Sequence, residues 1–423
     1  MAFGRGQIVM VNSGVDVAAA REPCSAPVPQ TDAASSMIIF GTAATYEQGN
    51  ATMTPEEERL RQFGAIIGRL ILRQDISRAE ARECWRQICA EEQPELQKGA
   101  FMAALKAKPE TLDEIAGTFE ALYEHDTVKV DIDTPEPIID NCGTGADALK
   151  TFNISTGAAI VAAACGLYVT RHCARAVTSN CGAVDVVEAV GVDVESGPSL
   201  PKQSIERAGI CVWNGFLPWL HTRLANRILP QMRFSNTINL VGPLLSPTMP
   251  LYRVMGVHSL ELLDHEARIL RELGFKRALL MYGLDAEGDR GIDELSTLGS
   301  SHIAELHPDG RIEHSMVTPE EFGLRRATYQ DVASSREVHR EALTLLRVIA
   351  NRDDGPRQDI VCLNAAPMLH VMGRAKGLRD GVAMARAAVR DGRAFQKLRD
   401  WVSWQNATPA AGLPTFERML AQI

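Results

Sequence analysis

The sequence predicts an α/β protein in which a small helical domain precedes a large domain built on a mostly parallel sheet. Apolar residues recur at helical intervals from residue 53 to about residue 125. From Val128 onward, short apolar runs alternate with helical segments, a pattern typical of parallel sheets covered by helices. We therefore expect three regions: an extension over 1–52, a helical domain over 53–128 and an α/β domain over 129–423.

The composition of the 423-residue chain is that of an ordinary soluble globular protein, with 45% apolar and 23% charged residues. Its net charge of -9 argues against a general nucleic-acid binder. Because no run of about 18 apolar residues occurs, we expect no membrane span. The nine cysteines show neither CxxC pairs nor zinc spacing, which indicates reduced thiols and a cytoplasmic protein. Cys173 and Cys181 have no base-like neighbour in sequence, so we expect neither to be a nucleophile.

The first region is rich in Ala, Ser, Gly, Pro and Thr, and we expect a flexible extension with one short strand at 37–40. Helix starts follow in the second region. Thr54 and Thr111 each begin a capping box, in which a hydroxyl residue is followed three positions later by glutamate. Ser77 begins another helix, and a further one covers 98–108.

In the third region, predicted strands and helices alternate around an apolar run that begins at Ile138. The other predicted strands cover 168–170, 192–194, 210–212, 252–257 and 277–282. The predicted helices cover 157–165, 183–189, 260–273, 336–350, 359–372 and 378–401. Ligands of open α/β sheets bind beyond the carboxyl ends of the strands, so polar residues that follow these runs are the candidate contacts.

A glycine loop, Gly143-Thr144-Gly145-Ala146-Asp147, follows the first apolar run. Glycines after a strand let backbone N–H groups approach an anion closely, although an ordinary β-turn carries about the same weight for the glycines alone. A Rossmann site is less favoured because Ala148 replaces the third glycine. A Walker loop is excluded because no Gly-Lys-Ser/Thr follows.

A second polar turn, Asn153-Ile154-Ser155-Thr156, begins the alanine-rich helix. Such residues are commonly helix caps. Alternatively, they bind phosphate oxygens, with one hydroxyl coordinating Mg²⁺. The presence of two phosphate-competent loops a few residues apart favours the second interpretation.

Two arginines and two hydroxyls follow the next predicted strand: Arg171, Arg175, Thr178 and Ser179. They suit a phosphorylated ligand, and a solvated basic loop is the alternative.

An acidic pair, Asp293-Glu294, lies in a glycine-bearing turn. Adjacent carboxylates usually form a solvated face, but at the end of a strand they can hold Mg²⁺ against a pyrophosphate.

Together these motifs resemble the anthranilate phosphoribosyltransferase family (glycosyltransferase family 3), which shares its fold with the pyrimidine nucleoside phosphorylases. The family's GTGGD, NIST and KHGNR segments correspond to 143–147, 153–156 and 171–175, and its acidic pair corresponds to Asp293-Glu294. Further matches, in the family's order, are GAFMAALKAKPETLDEIAG, INLVGPLLSP, EFGL and LNAAPMLHVMG. The resemblance covers about residues 53–423.

The resemblance implies an active site at the hinge between the two domains, helices from about 216–233 joining the small domain, and usually a homodimer. It also implies Mg²⁺-dependent transfer of a phosphoribosyl group from phosphoribosyl pyrophosphate to an aromatic amine, without a protein nucleophile. Donor contacts would come from Gly143, Thr144, Gly145, Asp147, Thr151, Asn153, Ser155, Thr156, Arg171, Arg175, Thr178 and Ser179. The metal would be held by Ser155, Asp293 and Glu294. The acceptor would be contacted by Gly143, His172, Ala174, His221 and Leu229.

On the donor side the chain departs from the family at three positions. Ala146 replaces a glycine and Ala183 a donor-site serine, while Arg171 replaces a lysine. Arginine keeps the charge and alters the geometry, and Lys150 is a candidate for compensation.

On the acceptor side the departures are larger. Ala174 replaces the asparagine that contacts the acceptor, and Leu229 falls where the family has the arginine that binds the acceptor's carboxylate. Arg227 and Arg233 lie nearby and are candidate substitutes.

Three functions follow as hypotheses. The first is a phosphoribosyltransferase whose acceptor site differs from the anthranilate pattern. The second is anthranilate phosphoribosyltransferase of tryptophan biosynthesis. The third is a non-catalytic binding protein related to the family's nucleic-acid-binding paralogues, against which the acidic net charge and the retained acidic pair both count.

Overall fold

A computed structural model describes residues 53–145, 148–173, 175, 181–223, 228–232, 234 and 236–423. The strand predicted at 37–40 lies outside these residues, as does the rest of the predicted extension. In the part of the chain that is described, no helix is long and apolar enough to cross a membrane.

Among the residues that the structure describes, four helices form the N-terminal helical domain: α1 (Pro55–Ile71), α2 (Arg78–Cys89), α3 (Glu95–Lys106) and α4 (Leu112–His125). Thr54, Ser77 and Thr111 are the N-caps of α1, α2 and α4, and each makes both hydrogen bonds of a capping box. The side chains of Trp85 and Phe101 are fully buried among these helices and pack edge to face. Local capping and an apolar core thus produce the predicted helical domain.

In the described part of the chain, eight strands form one mixed sheet. They are β1 (Ile138–Asp140), β2 (Tyr168–Cys173), β3 (Ile210–Asn214), β4 (Tyr252–Gly256), β5 (Arg277–Leu284), β6 (Gly291–Ile292), β7 (Ser301–Leu306) and β8 (Ile312–Val317). The strand order is β3-β2-β1-β4-β5-β7-β8, with β6 beside β5. The first five strands in this order are parallel, whereas β6, β7 and β8 pair antiparallel. The predicted fold class is confirmed.

The remaining helices cover both faces of the sheet. They are α5 (Ile154–Ala164), α6 (Ala183–Ala189), α7 (Ser199–Ala208), α8 (Leu229–Met232), α9 (Thr237–Val241), α10 (Leu260–Glu272), α11 (Tyr329–Val332), α12 (Val338–Ile349), α13 (Pro356–Val371), α14 (Leu378–Arg390), α15 (Arg393–Trp404) and α16 (Pro409–Leu420). Alternate residues of β4 face opposite ways, so that Val254 packs in the core with α5 and α13. Met255 packs in the second core, with α1–α4 and α10.

Two expectations for this region were wrong, and one pair of strands was missed. Residues 192–194 form no strand, because Asp193 accepts hydrogen bonds from the N–H groups of Glu195 and Ser196 and turns the chain. The helix predicted over 378–401 is two helices, α14 and α15, separated at Gly392, whose φ of 82° is left-handed. The hairpin of β7 and β8 was not predicted at all.

Candidate functional site

The glycine loop leaves β1 at the carboxyl edge of the sheet and is held by two backbone hydrogen bonds. Thr144 N–H donates to the carbonyl of Gly256 at 2.9 Å, and Gly145 N–H donates to Asp293 Oδ2 at 3.0 Å. Gly145 has a φ of 62°, which favours glycine. A Cβ at Gly143 would lie 2.6 Å from Asp293 Oδ2, so a side chain at this position would displace the carboxylate.

The acidic pair lies against this loop although it is distant in sequence. A Cβ on Gly256 would lie 1.4 Å from the carbonyl oxygen of Asp293, which shows how closely the two backbones approach. From the other side, Asn364 of α13 accepts from Leu295 N–H at 2.8 Å and donates to the Leu295 carbonyl at 2.9 Å. The end of β4 and the side chain of Asn364 therefore fix the position of Asp293 and Glu294.

These groups surround a cavity of about 20 Å³, which is large enough for one water or ion. Its polar lining includes Asn141, Ser155, Asp293, Glu294 and Asn364. Among the described residues, no group of three His, Cys, Asp or Glu side chains is arranged to hold a metal. Two carboxylates and one hydroxyl are nevertheless oxygen ligands of the kind that Mg²⁺ takes when substrate phosphates and waters complete its shell. The residues present therefore fit a magnesium ion bound together with a phosphorylated ligand.

The second polar turn begins α5, but not as a capping motif. Asn153 occupies the N-cap position, and within the described chain its side chain makes no hydrogen bond to the helix. The two hydroxyls accept hydrogen bonds from a guanidinium: Arg171 Nη2 donates to Ser155 Oγ at 3.0 Å, and Nη1 donates to Thr156 Oγ1 at 2.5 Å. Arg171 is 2% exposed, so it positions the hydroxyls from behind the turn.

The second predicted phosphate-binding arginine is held by acidic side chains. Arg175 pairs with Asp185 at 2.9 Å and Glu188 at 2.7 Å, and also with Glu195. Its hydrogen bonds to these carboxylates, to Glu188 above all, raise the pKa of Arg175. In this structure both guanidinium groups are engaged by protein groups, and their donor contacts stay predictions.

Thr151 and Lys150 lie between the two loops and are tied to the segment around α11. Thr151 forms an antiparallel bridge with Ala333. The Lys150 carbonyl accepts hydrogen bonds from Tyr329 Oη and Ser334 N–H, both at 3.0 Å. The connection from the glycine loop to α5 is therefore anchored by its backbone.

The two histidines predicted for the acceptor site contact each other. His172 Nε2 and His221 Nε2 are 3.1 Å apart, and the rings cross at 69°. Burial lowers the pKa of both imidazoles, that of His172 well below the ordinary value. His221 also lies 3.4 Å from Thr127 Oγ1 and 3.9 Å from Asp126 Oδ2, just after α4. The pair therefore joins the carboxyl edge of the sheet to the helical domain as neutral side chains near pH 7.

Several predicted positions are outside the described residues: Ala146, Asp147, Ala174, Thr178, Ser179, Arg227 and Arg233. Leu229 begins α8, but its side chain is not described.

Sequence reasoning missed four residues of the site: two that come just after strands and two that lie within strands. Asn141 Nδ2 donates to the Ser155 carbonyl at 2.8 Å, and His258 Nδ1 is 3.1 Å from Thr144 Oγ1. Beneath the loop, Asp140 and Arg253 form a fully buried ion pair at 3.5 Å on adjacent strands. Asn141 and His258 were detectable as polar residues just beyond β1 and β4, where α/β sheets bind ligands.

The glycosyl transferase family matches this chain through two domains: its a/b domain over residues 135–395 and its helical bundle domain over residues 65–126. An anthranilate phosphoribosyltransferase from Desulfosudis oleivorans is 34% identical over 346 residues, covering 81% of this chain and 98% of that protein. One from Anaeromyxobacter dehalogenans is 36% identical over 342 residues, covering 80% of this chain and 97% of that protein.

Solved structures agree in fold. The anthranilate phosphoribosyltransferase of Thermus thermophilus superposes with a TM-score of 0.72 at 31% identity, covering 81% of this chain and 99% of that one. The Saccharomyces cerevisiae enzyme, in complex with PRPP and Mg, has a TM-score of 0.70 at 23% identity, covering 82% and 98%. This chain belongs to the anthranilate phosphoribosyltransferase family, whose members join a glycosyl transferase helical bundle to an α/β domain.

Proposed function

We propose that this protein transfers the phosphoribosyl group of phosphoribosyl pyrophosphate to an aromatic amine or related nitrogen acceptor, releasing pyrophosphate in a Mg²⁺-dependent reaction. The observation that carries the proposal is the small oxygen-lined cavity on which the glycine loop, the start of α5 and the acidic pair converge. The family relatives named above, and the yeast structure that holds PRPP and Mg, support the same reaction.

The donor half of the reaction follows from the charges that develop. Cleavage of the anomeric C–O bond leaves positive charge on the ribose and negative charge on the departing pyrophosphate. Ser155, Asp293 and Glu294 would hold Mg²⁺, which supplies positive charge against the pyrophosphate when bound. Gly143 and Gly145 carry no side chains that would block the approach of the donor to the loop backbone, and Arg171 keeps the Ser155 hydroxyl in place.

The acceptor half needs an oriented neutral amine rather than a protein nucleophile. A neutral His172 adds no positive charge beside the developing oxocarbenium ion, which would be repelled by an imidazolium. Since Ala174 and Leu229 stand where the resemblance places polar acceptor contacts, we further propose an acceptor site altered from the anthranilate pattern. Anthranilate itself is the competing acceptor, and the names of the relatives favour it.

The test uses the full-length protein with phosphoribosyl pyrophosphate, Mg²⁺ and a panel of aromatic amines and nucleobases. Pyrophosphate release and the mass of the product are both measured. With at least one acceptor, we expect one pyrophosphate to be released for each molecule of phosphoribosylated product formed. If folded protein releases no pyrophosphate with any acceptor, transfer is refuted.

Anthranilate and aniline form a matched pair that tests the altered acceptor site, because they differ only in the carboxylate. An intact charge-assisted carboxylate contact is worth about 1.5–3 kcal/mol, or roughly tenfold to 150-fold in kcat/KM. The altered site predicts similar kcat/KM values for the two amines. A strong preference for anthranilate, together with rescue of a tryptophan auxotroph, would establish the competing acceptor instead.

We also propose a homodimer. Large apolar side chains are exposed at the end of α1 and the start of α3, two helices that pack together: Leu72, the C-cap of α1, is 72% exposed, and Leu96 of α3 is 89% exposed. Exposed apolar groups on adjacent helices suit contact with a second copy. Light scattering after size exclusion should give twice the chain mass of 46.1 kDa, whereas a monomeric mass at micromolar concentration would refute the dimer.

A further inference from the structure

A buried ion pair holds the residue that precedes the glycine loop. Arg253 of β4 is fully buried, and its Nη2 donates to the carbonyl of Cys142 at 2.9 Å. Asp140, the ion-pair partner on β1, accepts a hydrogen bond from the N–H of the same cysteine at 2.8 Å. The ion pair therefore fixes both backbone groups of Cys142, and the glycine loop begins at the next residue, Gly143.

The same guanidinium nitrogen also holds a second segment of the chain. Nη2 of Arg253 donates to the carbonyl of Pro243 at 2.8 Å. Pro243 lies in a single turn of 3-10 helix, Gly242–Leu244, which directly follows α9. Leu244 packs in the core formed with α1–α4, and α9 packs against α4. The 242–244 turn also lies next to β2, the strand that carries His172. One nitrogen atom thus joins the start of the glycine loop to a turn that is packed on the helical domain.

We propose that Arg253 is a positioning residue for phosphoribosyl transfer, which sets the glycine loop on the donor side against the 242–244 turn on the acceptor side. This role rests on the proposed function, because transfer requires the ribose carbon and the amine nitrogen to lie about 3–3.5 Å apart. Gly256 and Asp293 hold the loop from the donor side. Arg253 adds the contact that fixes the loop relative to the acceptor side.

Stability alone gives little reason for an ion pair at this place. Nε and Nη1 of Arg253 are buried and make no hydrogen bond to the described residues, and Nη1 is 3.5 Å from Asp140 Oδ2. Buried charges with incomplete hydrogen bonding are costly, and well-packed apolar side chains of similar volume are often at least as stabilising. The simultaneous hold on two backbone segments is what an apolar pair would not supply.

The chain offers a matched control in Arg277, the first residue of β5. Arg277 also pairs with a carboxylate on the neighbouring strand, that of Glu305 at 2.7 Å. It likewise donates to two backbone carbonyls, those of His370 at 3.0 Å and Val371 at 3.2 Å. Because β5 runs parallel to β4 and Arg277 pairs with the first residue of β4, these contacts lie at the amino edge of the sheet, opposite the glycine loop.

The test measures transfer kinetics and urea denaturation of the full-length protein, with the acceptor that gives the most transfer in the panel above. The double variant Asp140→Asn/Arg253→Met leaves no buried charge unpaired and keeps an oxygen that can accept from Cys142 N–H. We expect this variant to have a kcat about 100-fold below that of the wild type and a KM for the donor within about threefold of it. Arg253→Lys keeps a cation that can donate to both carbonyls, so its kcat should be only about tenfold below the wild type. Arg277→Met and Arg277→Lys should keep the wild-type kcat, although the first should be less stable.

Each outcome decides between positioning and a merely structural role. A kcat for the double variant no lower than that of Arg277→Met overturns the proposal, as does a loss that appears in KM alone. A lysine variant no faster than the double variant overturns the role of the two hydrogen bonds. If the double variant does not fold, the two lysine variants decide, and equal kcat values overturn the proposal. A wild-type protein that is inactive with every acceptor refutes the proposed function and the positioning role together, whereas losses confined to the variants leave the proposed function intact.

Discussion

Replacement of Asp293 by asparagine separates the two roles that the structure gives this residue. One oxygen, Oδ2, accepts a hydrogen bond from Gly145 N–H at 3.0 Å and so positions the glycine loop. The carboxylate also lines the cavity that fits Mg²⁺. Asparagine keeps a carbonyl oxygen for the first role and removes the negative charge needed for the second.

The two roles predict losses of different size. A hydrogen bond to a charged group is worth about 1.5–3 kcal/mol and a neutral one about 1 kcal/mol, so Asp293→Asn should lower the free energy of unfolding by about 1 kcal/mol. Loss of a preorganised electrostatic partner at the reacting centre typically costs about 100-fold to 1,000-fold in kcat. The variant should therefore be folded and nearly as stable as the wild type, yet largely inactive.

The assay measures pyrophosphate release as a function of Mg²⁺ concentration, alongside urea denaturation. The matched control is Asp289→Asn, which removes the same charge from an exposed position four residues earlier in the chain. The control should keep wild-type activity and the wild-type Mg²⁺ dependence. If Asp293→Asn also keeps both, Asp293 does not serve the metal and the assignment of the acidic pair is refuted.

Three further predictions concern the loop, the helix start and a buried carboxyl group. Gly143→Ala should weaken donor binding at least tenfold and lower the free energy of unfolding by about 1–3 kcal/mol, because the new Cβ would meet Asp293. Calorimetry measures the binding and urea denaturation the stability, and unchanged binding would contradict the prediction. Arg171→Met should lower the free energy of unfolding by about 2–3 kcal/mol, because it removes the donors to two hydroxyls of α5, and Arg171→Lys should lower it by about half as much. If Arg171→Met is as stable as the wild type in urea denaturation, Arg171 does not position these hydroxyls. Burial raises the pKa of Glu266 to about 7 from an ordinary 4.5, so the folded state binds this proton more tightly than the unfolded state. The contribution of Glu266 to stability is therefore present below pH 4.5 and lost as the pH rises through about 7. Between pH 4 and pH 8 the free energy of unfolding of Glu266→Gln should rise by about 3 kcal/mol relative to that of the wild type. Denaturation curves that give parallel pH profiles for the two proteins would contradict this.

The features that sequence predicted well are those with local causes. The capping boxes at Thr54 and Thr111 need only residues three positions apart, and both form as expected. Glycine after an apolar run similarly indicated the loop that follows β1. The pairing of that loop with the acidic pair spans 148 residues between Gly145 and Asp293, and only the family resemblance suggested it.

The features that sequence missed depend on distant partners. Nothing near Arg171 indicates that its guanidinium will hold hydroxyls 15 and 16 residues earlier, behind the turn. Arg175 likewise meets carboxylates that approach it only after α6 has formed. Strand β8 escaped prediction because four of its six residues are exposed and it gives little apolar alternation. The strand predicted at 192–194 does not form, because Asp193 donates its N–H to the Gln405 carbonyl and accepts a hydrogen bond from Glu195 N–H instead of pairing with a strand.

The central claim is that the glycine loop, Ser155 and the acidic pair form one site for phosphoribosyl pyrophosphate and Mg²⁺. Isothermal titration of the wild-type protein with phosphoribosyl pyrophosphate, with Mg²⁺ and then with the metal chelated, tests it most directly. We expect one donor per chain with Mg²⁺ and at least tenfold weaker binding without it, a difference that Asp293→Asn should abolish. Binding that is absent, or equally tight with and without Mg²⁺, would contradict the account.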